Sequence, residues 1–168
     1  MVFPLSAKRH LETPVKIIPV EELIWQKAYI MGRERFDGAD IAHLLLKCGE
    51  RLDWGHLLNR FGSDWRVLLS HLVLFGFIYP SRKNLIPNSV MNELLRRVNR
   101  EQQGSPARTN VCNGTLLSRS QYTADIDIDG FEDGRLDERN AMTAREITEW
   151  NALGHMEQRR GVESAKTD

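Results

Sequence analysis

Three groups of residues have types and spacings that could do chemistry. The first is Asp125-Ile-Asp-Ile-Asp-Gly130. A D-x-D-x-D-G string matches the first half of a calcium loop, in which oxygens at positions 1, 3 and 5 converge and Gly permits a sharp turn. The second half departs from the pattern. Position 12 is Leu136, where a bidentate Glu is required, and position 8 is Glu132, where an apolar residue is usual. An acidic, solvated turn is the preferred reading. The second group is Lys27 with Arg33, Arg35, Asp37 and Asp40. Cations close to a helix N-terminus suit phosphate, because the free N–H groups and the helix dipole there both favour anions. The competing reading is a surface pair, Arg35 with Asp37, beside an ordinary N-cap. The third group is the histidines, His10, His43, His56, His71 and His155. No two stand at i, i+4 with a Glu between them, so the zinc-protease pattern fails. His43 and His71 lie in apolar helical stretches, where a hydrogen-bonded core or edge histidine is expected rather than a metal ligand.

Other signals exclude more than they suggest. The two cysteines, Cys48 and Cys112, are far apart and form no CxxC. A disulfide framework and a cysteine zinc site are not expected, and a reducing, cytoplasmic setting is. Asn113-Gly-Thr115 fits the N-glycosylation pattern, but no secretory signal accompanies it. The tryptophans Trp25, Trp54, Trp65 and Trp150 read as packing residues with an N–H partner. The most apolar run, Val67 to Tyr79, is 13 residues long. A spanning helix needs roughly 20, so no membrane partner is expected.

These side chains must be positioned by helices. The 168 residues carry 23 Lys+Arg and 23 Asp+Glu. That neutrality makes nucleic acid an unexpected partner. The charge is unevenly placed: residues 1–101 hold 15 cations and 11 anions (+4), and residues 102–168 hold 8 and 12 (−4). The break falls in the polar stretch Glu101-Gln-Gln-Gly-Ser-Pro-Ala-Arg-Thr-Asn110. Three regions follow: an extended segment over 1–19, a helical bundle over 20–101, and a linker with an acidic tail over 102–168. Val15, Ile17 and Ile18 suit a strand of about four residues.

Pro19 and the acids Glu21 and Glu22 suit the first turn of a helix from Val20 to Met31, with Val20, Leu23, Ile24, Ala28 and Met31 inward. Asp37, with Asp40 three residues on, predicts a capped second helix whose apolar face is Ile41, Leu44 and Leu45. Asp53 predicts the cap of a third helix through Trp54, Leu57, Leu58 and Phe61. Ser63 predicts the cap of a fourth, over Asp64 to Phe75, with Gly76-Phe-Ile-Tyr79 as a strand-like exit. A fifth, from Pro87 or Asn88 to Arg100, buries Val90, Leu94, Leu95 and Val98. The fold class is mainly α: a compact bundle of about five helices after a short β-strand, ending in a partly disordered tail. Within that tail, Thr115 to Ala124 and Thr143 to Leu153 are candidate helices.

At the Lys27 cluster the sequence resembles a family. Pro19-Val-Glu-Glu-Leu-Ile-Trp-Gln-Lys27, followed by Arg33-Glu-Arg-Phe-Asp-Gly-Ala-Asp-Ile-Ala-His-Leu44, resembles the second half of bacterial nucleotidyltransferase-fold proteins, including the abortive-infection-type nucleotidyltransferases. A similarity to a little-described bacterial nucleotidyltransferase group continues through Trp65-Arg-Val-Leu-Leu-Ser-His-Leu72 and Phe75-Gly-Phe-Ile-Tyr-Pro80. It reaches Val111 to Tyr122 and covers about residues 14–150. The resemblance implies that Lys27 contacts nucleotide phosphates, and that Asp37, Asp40 and Arg35 support it. It implies Mg²⁺ and a nucleoside triphosphate in a full-length setting, and an N-terminal nucleotidyltransferase domain as partner.

The departure from the family is equally definite. The Gly-Ser turn and D-x-D pair that hold the metal lie upstream in such proteins, and this sequence has only some 13 residues there. Gly62-Ser63-Asp64 opens an apolar helix and has no D-x-D after it; the Asp125 run has no Gly-Ser turn before it. No catalytic residue and no metal ligand are therefore expected, and no cofactor for this chain alone. Transfer by this chain alone should be negligible without a group to hold the Mg²⁺ that neutralises the developing charge. Self-association through an exposed strand over 14–18 is an expected consequence. The alternatives are a stand-alone helical interaction module and a winged-helix-like DNA binder, the latter weakened by its thin positive charge.

Overall fold

A computed structural model describes residues 7–10, 13–104, 110–118 and 120–136. The described residues fall into two compact units, one drawn from residues 1–30 and 37–105, the other from 31–36 and 106–168. The described residues are mainly helical, as expected.

In the first unit, β1 (Ala7–His10) pairs antiparallel with β2 (Thr13–Lys16), Ala7 opposite Lys16 and His10 opposite Thr13. The expected strand is thus displaced toward the N-terminus, and β1 occupies one of its edges. Ile17 and Ile18 follow the strand, 42% and 37% exposed.

Five helices build the bundle: α1 (Val20–Ala28), α2 (Gly38–Cys48), α3 (Trp54–Phe61), α4 (Trp65–Ile78) and α5 (Asn88–Gln103). Helix α1 ends three residues before the expected Met31. The Ile30 N–H closes back on the Lys27 carbonyl at 3.0 Å, and the Tyr29 hydroxyl donates to Asp64 at 2.9 Å, turning the chain out of the helix. Helix α3 is capped as expected: the Asp53 carboxylate accepts from the His56 N–H at 2.9 Å. Ser63 does not cap α4. A 3₁₀ turn, Gly62–Asp64, intervenes, entered through Gly62 at φ 49°, a left-handed value suited to glycine. Helix α4 then runs through Gly76 to Ile78, so the expected strand-like exit is helical. It stops where Pro80 bars its predecessor from helical geometry, and Tyr79 sits at φ −125°, ψ 70°.

The core is one apolar cluster drawn from α1 to α5. It includes Ile24, Ala28, Ile41, Leu45, Leu57, Phe61, Trp65, Leu68, Leu72, Phe75, Val90 and Leu94. Each fully buried large side chain contributes about 1.5–3 kcal/mol by leaving water. Leu95, expected inside, is 47% exposed; Met91 packs against the core instead. The helical stretch Trp54–Ile78 is long and apolar enough to cross a membrane by length and composition. The turn at Gly62 breaks it, and Phe61, Trp65 and Phe75 from it line the bundle core.

The second unit holds a two-residue parallel pair, β3 (Val111–Cys112) with β4 (Glu132–Asp133), and a short helix, α6 (Thr123–Asp127). The expected helix over Thr115–Ala124 is replaced by a 3₁₀ turn at Asn113–Leu116 and by α6. Met31 and Phe36 form an isolated antiparallel bridge, and the Met31 N–H donates to the Leu117 carbonyl at 3.1 Å. The expected helix over 143–153 and the terminal segment 157–168 lie outside the described residues.

Candidate functional site

Lys27 lies in the last turn of α1, and Asp37 and Asp40 stand at the start of α2. The packing of α1 on α2 brings the three together. The Lys27 ammonium donates to Asp37 Oδ2 at 2.7 Å and to Asp40 Oδ2 at 2.6 Å. The Asp37 side chain is 7% exposed, Lys27 21% and Asp40 56%, so the cluster grades from core to solvent. Hydrogen bonds to Asp37 and then to Asp40 hold the ammonium pKa above its ordinary value, against a small opposing loss from burial.

Asp37 occupies the expected N-cap position, but neither carboxylate caps. The Asp37 side chain makes no cap hydrogen bond, and Asp40 at the third helical position points to Lys27 rather than back to the cap. A full positive charge outcompetes neutral N–H donors, because charge-assisted hydrogen bonds are the stronger kind. Arg35 is exposed and folds with the second unit.

The end of α1 is held by three further bonds. The His71 ring, 4% exposed on α4, shares a hydrogen bond with the Ala28 carbonyl at 3.1 Å. Tyr29 donates to Asp64, and the Asp37 N–H donates to the Ile30 carbonyl at 3.1 Å. Residues 28–30, directly after Lys27, are each tied to another element. The expected core histidine is therefore present at His71, and burial pushes its pKa down. His43, also expected there, is exposed. Burial and the Asp64 carboxylate push the Tyr29 hydroxyl well above its ordinary pKa.

A second polar cluster was missed by sequence reasoning. Glu22 Oε1 meets His56 Nε2 at 3.0 Å, and Glu22 Oε2 accepts from Arg60 Nε at 2.9 Å. The Arg60 guanidinium lies 3.5 Å over the Trp25 ring. Burial raises the Glu22 pKa, but the bonds from Arg60 and His56 outweigh it, and the net shift is downward. The available signal was the i, i+4 spacing of His56 and Arg60 on α3, opposite an acid in the first turn of α1.

The acidic run does not form a calcium loop. Asp125 and Asp127 lie within α6, Asp129 follows it, and Gly130 turns the chain at φ 73°. Asp125 Oδ2 takes the Cys112 thiol at 3.8 Å. Among the described residues no group of three or more His, Cys, Asp or Glu could hold a metal ion. Asp37 and Asp40 do not fit Mg²⁺ in this arrangement either, because both present their bonded oxygen to Lys27. Thr115 of the glycosylation pattern donates to Asp133 at 2.8 Å.

Comparisons with protein-family models, with curated proteins and with solved structures return no match.

Proposed function

We propose that this chain contributes the helical part of a nucleotidyltransferase-like protein, with Lys27 as its contact to nucleotide phosphates. The observation that supports the reading is the convergence of Lys27, Asp37 and Asp40, from two helices, on one partly exposed point. Those are the residues the family resemblance singles out. In this reading the buried Asp37 keeps Lys27 charged and aimed, while the exposed Asp40 is the partner that phosphate displaces. Arg35 adds positive charge nearby in the sequence. The metal-holding carboxylates and the acceptor site belong to an N-terminal nucleotidyltransferase domain, so no transfer step is assigned to this chain and only a weak phosphate contact at Lys27 is expected of it alone.

The test is a titration of the ¹⁵N-labelled chain with ATP, followed by NMR. The expected result is a set of shifts confined to Lys27, Asp37, Asp40 and their neighbours, abolished by Lys27→Gln. Shifts spread over other surfaces, or unchanged in Lys27→Gln, overturn the assignment.

One observation favours a second reading. The two carboxylates already neutralise Lys27, leaving the cluster at −1, which repels phosphate. The cluster then acts as a clamp between α1 and α2 in a helical interaction module. Absence of ATP shifts, combined with a stability loss in Lys27 variants, supports this reading over the first.

A further inference from the structure

The second half of α4 presents an apolar face to solvent. Val73 is 57% exposed, Phe77 80% and Ile78 40%. Val73 and Phe77 stand one helical turn apart and so share a face. A phenylalanine this exposed beside two aliphatic side chains is a feature that marks interaction sites.

The charge around it specifies the partner. The 3₁₀ turn Pro80–Leu85, directly after α4, carries Arg82 and Lys83, both exposed. Neither makes a salt bridge or a side-chain hydrogen bond to a described residue. The end of α2 packs on this turn so closely that a Cβ at Gly49 would sit 3.2 Å from Leu85. The turn carries a charge of +2 and no acid.

A second copy fits poorly. If two α4 helices paired antiparallel about Val73, the Arg82–Lys83 turn of one would meet Asp64 and Arg66 of the other, and Asp64 already accepts from Tyr29. Those two side chains cancel in charge, so a second copy offers the basic turn no net complement. A lipid surface is also a poor fit, because interfacial helices bury a longer apolar face than three side chains.

We propose that the outer face of α4's second half, with the basic turn at Pro80–Leu85, docks an acidic amphipathic helix of another protein. The partner's apolar stripe covers Val73, Phe77 and Ile78, and its carboxylates reach Arg82 and Lys83. This is the helix-on-apolar-face mode of recognition, with charge setting orientation and encounter rate. It is independent of the reading of Lys27.

The probe is a fluorescein-labelled synthetic helix of roughly 16 residues, with Leu at i, i+3, i+4 and i+7 spacing and Glu elsewhere. Anisotropy is measured against the whole chain. The expected dissociation constant lies in the ~10–100 μM range of a small, transient interface. Phe77→Ser weakens binding about 10-fold or more. The double variant Arg82→Glu with Lys83→Glu weakens it about 5-fold or more and flattens its salt dependence. A peptide with Lys in place of Glu does not bind. All the substituted residues are exposed, and unchanged circular-dichroism melting verifies the fold of each variant. No binding at about 1 mM peptide, or equal binding by Phe77→Ser, overturns the proposal. So does a dimer in sedimentation equilibrium that Phe77→Ser dissolves. Flotation with phosphatidylserine vesicles that Phe77→Ser abolishes, without peptide binding, overturns it in favour of a membrane.

Discussion

The two units are held together by opposite means. Every buried apolar residue among those described belongs to the helical unit, from Ile24 to Leu94. Among the described residues of the second unit the buried side chains are polar or charged: Thr115, Ser118, Asp133 and Arg135. Its centre is an ion pair: Arg135 Nε and a terminal nitrogen both reach Asp133, at 3.0 and 2.7 Å, with side chains 9% and 8% exposed. Asp133 also accepts from the Thr115 hydroxyl and the Arg135 N–H. Burial raises the Asp133 pKa, but these bonds from Arg135 and Thr115 outweigh it. An apolar core spreads its stabilisation over many replaceable contacts. A polar knot concentrates it in a few bonds, and leaving one partner unsatisfied costs the full desolvation of that group.

The largest expected effect is in the apolar unit. Phe75 is fully buried and Trp65 is 6% exposed. Truncating either to Ala is expected to cost about 3–5 kcal/mol in chemical denaturation, through lost transfer energy and the cavity left behind. A loss below about 1 kcal/mol at both sites would mean that the bundle does not rest on this cluster.

Next comes the polar unit. Arg135→Met strands the Asp133 carboxylate and is expected to cost about 3 kcal/mol, the scale for breaking one side of a buried pair. The loss should appear as faster hydrogen exchange over 111–118, with exchange in α4 unchanged. Adding Asp133→Leu should recover much of it, because an apolar pair of similar volume removes the stranded charge. If the double variant is no better than the single, the knot is not organised around this pair.

The legibility of the sequence follows the same division. Helices α1 to α5 were readable because apolar residues recur at helical spacing and because Gly62 and Pro80 punctuate them. Helix α4 outran its predicted end because a lone Gly76 is tolerated within a helix whose Phe75 packs into the core. In the second unit the helix expected over Thr115–Ala124 is displaced to α6, because order there comes from long-range polar bonds and close backbone approach. A Cβ at Gly114 would collide with the Tyr122 ring, and no local periodicity announces such a contact. At the site, Lys27, Asp37 and Asp40 were each named from sequence, but the capping rules assigned the carboxylates to the backbone. Only the approach of α1 to α2 redirects them to Lys27.

A smaller effect tests the polar groups inside the apolar unit. His71 is buried and its folded pKa is depressed below 6.5. Between the folded and unfolded values the unfolded chain binds more protons, so stability rises with pH there. Its contribution is complete above about pH 6.5 and declines as pH falls below that value toward the folded pKa. His71→Gln keeps a donor for the Ala28 carbonyl and removes the titration. Its melting temperature should lose pH dependence in the window just below about pH 6.5, whereas Glu22 and Asp133 act at lower pH. An unchanged slope assigns the dependence to other groups.

The smallest expected effect bears on the candidate site. Lys27 and Asp40 are bonded at 2.6 Å, but Asp40 is 56% exposed. Exposed ion pairs contribute about 0.2–1 kcal/mol, so the Lys27→Met and Asp40→Asn cycle should give a coupling of that size. Asp37 is 7% exposed and bonded to the same ammonium. Its removal should cost more, and its coupling to Lys27 should survive salt that screens the Asp40 pair. That asymmetry is what a displaceable partner beside a fixed one requires. Equal couplings, both insensitive to salt, would describe a clamp with no side open to phosphate. A large, salt-resistant coupling at Asp37 with a weak one at Asp40 would leave Lys27 held from the core side and free to change partners at the surface.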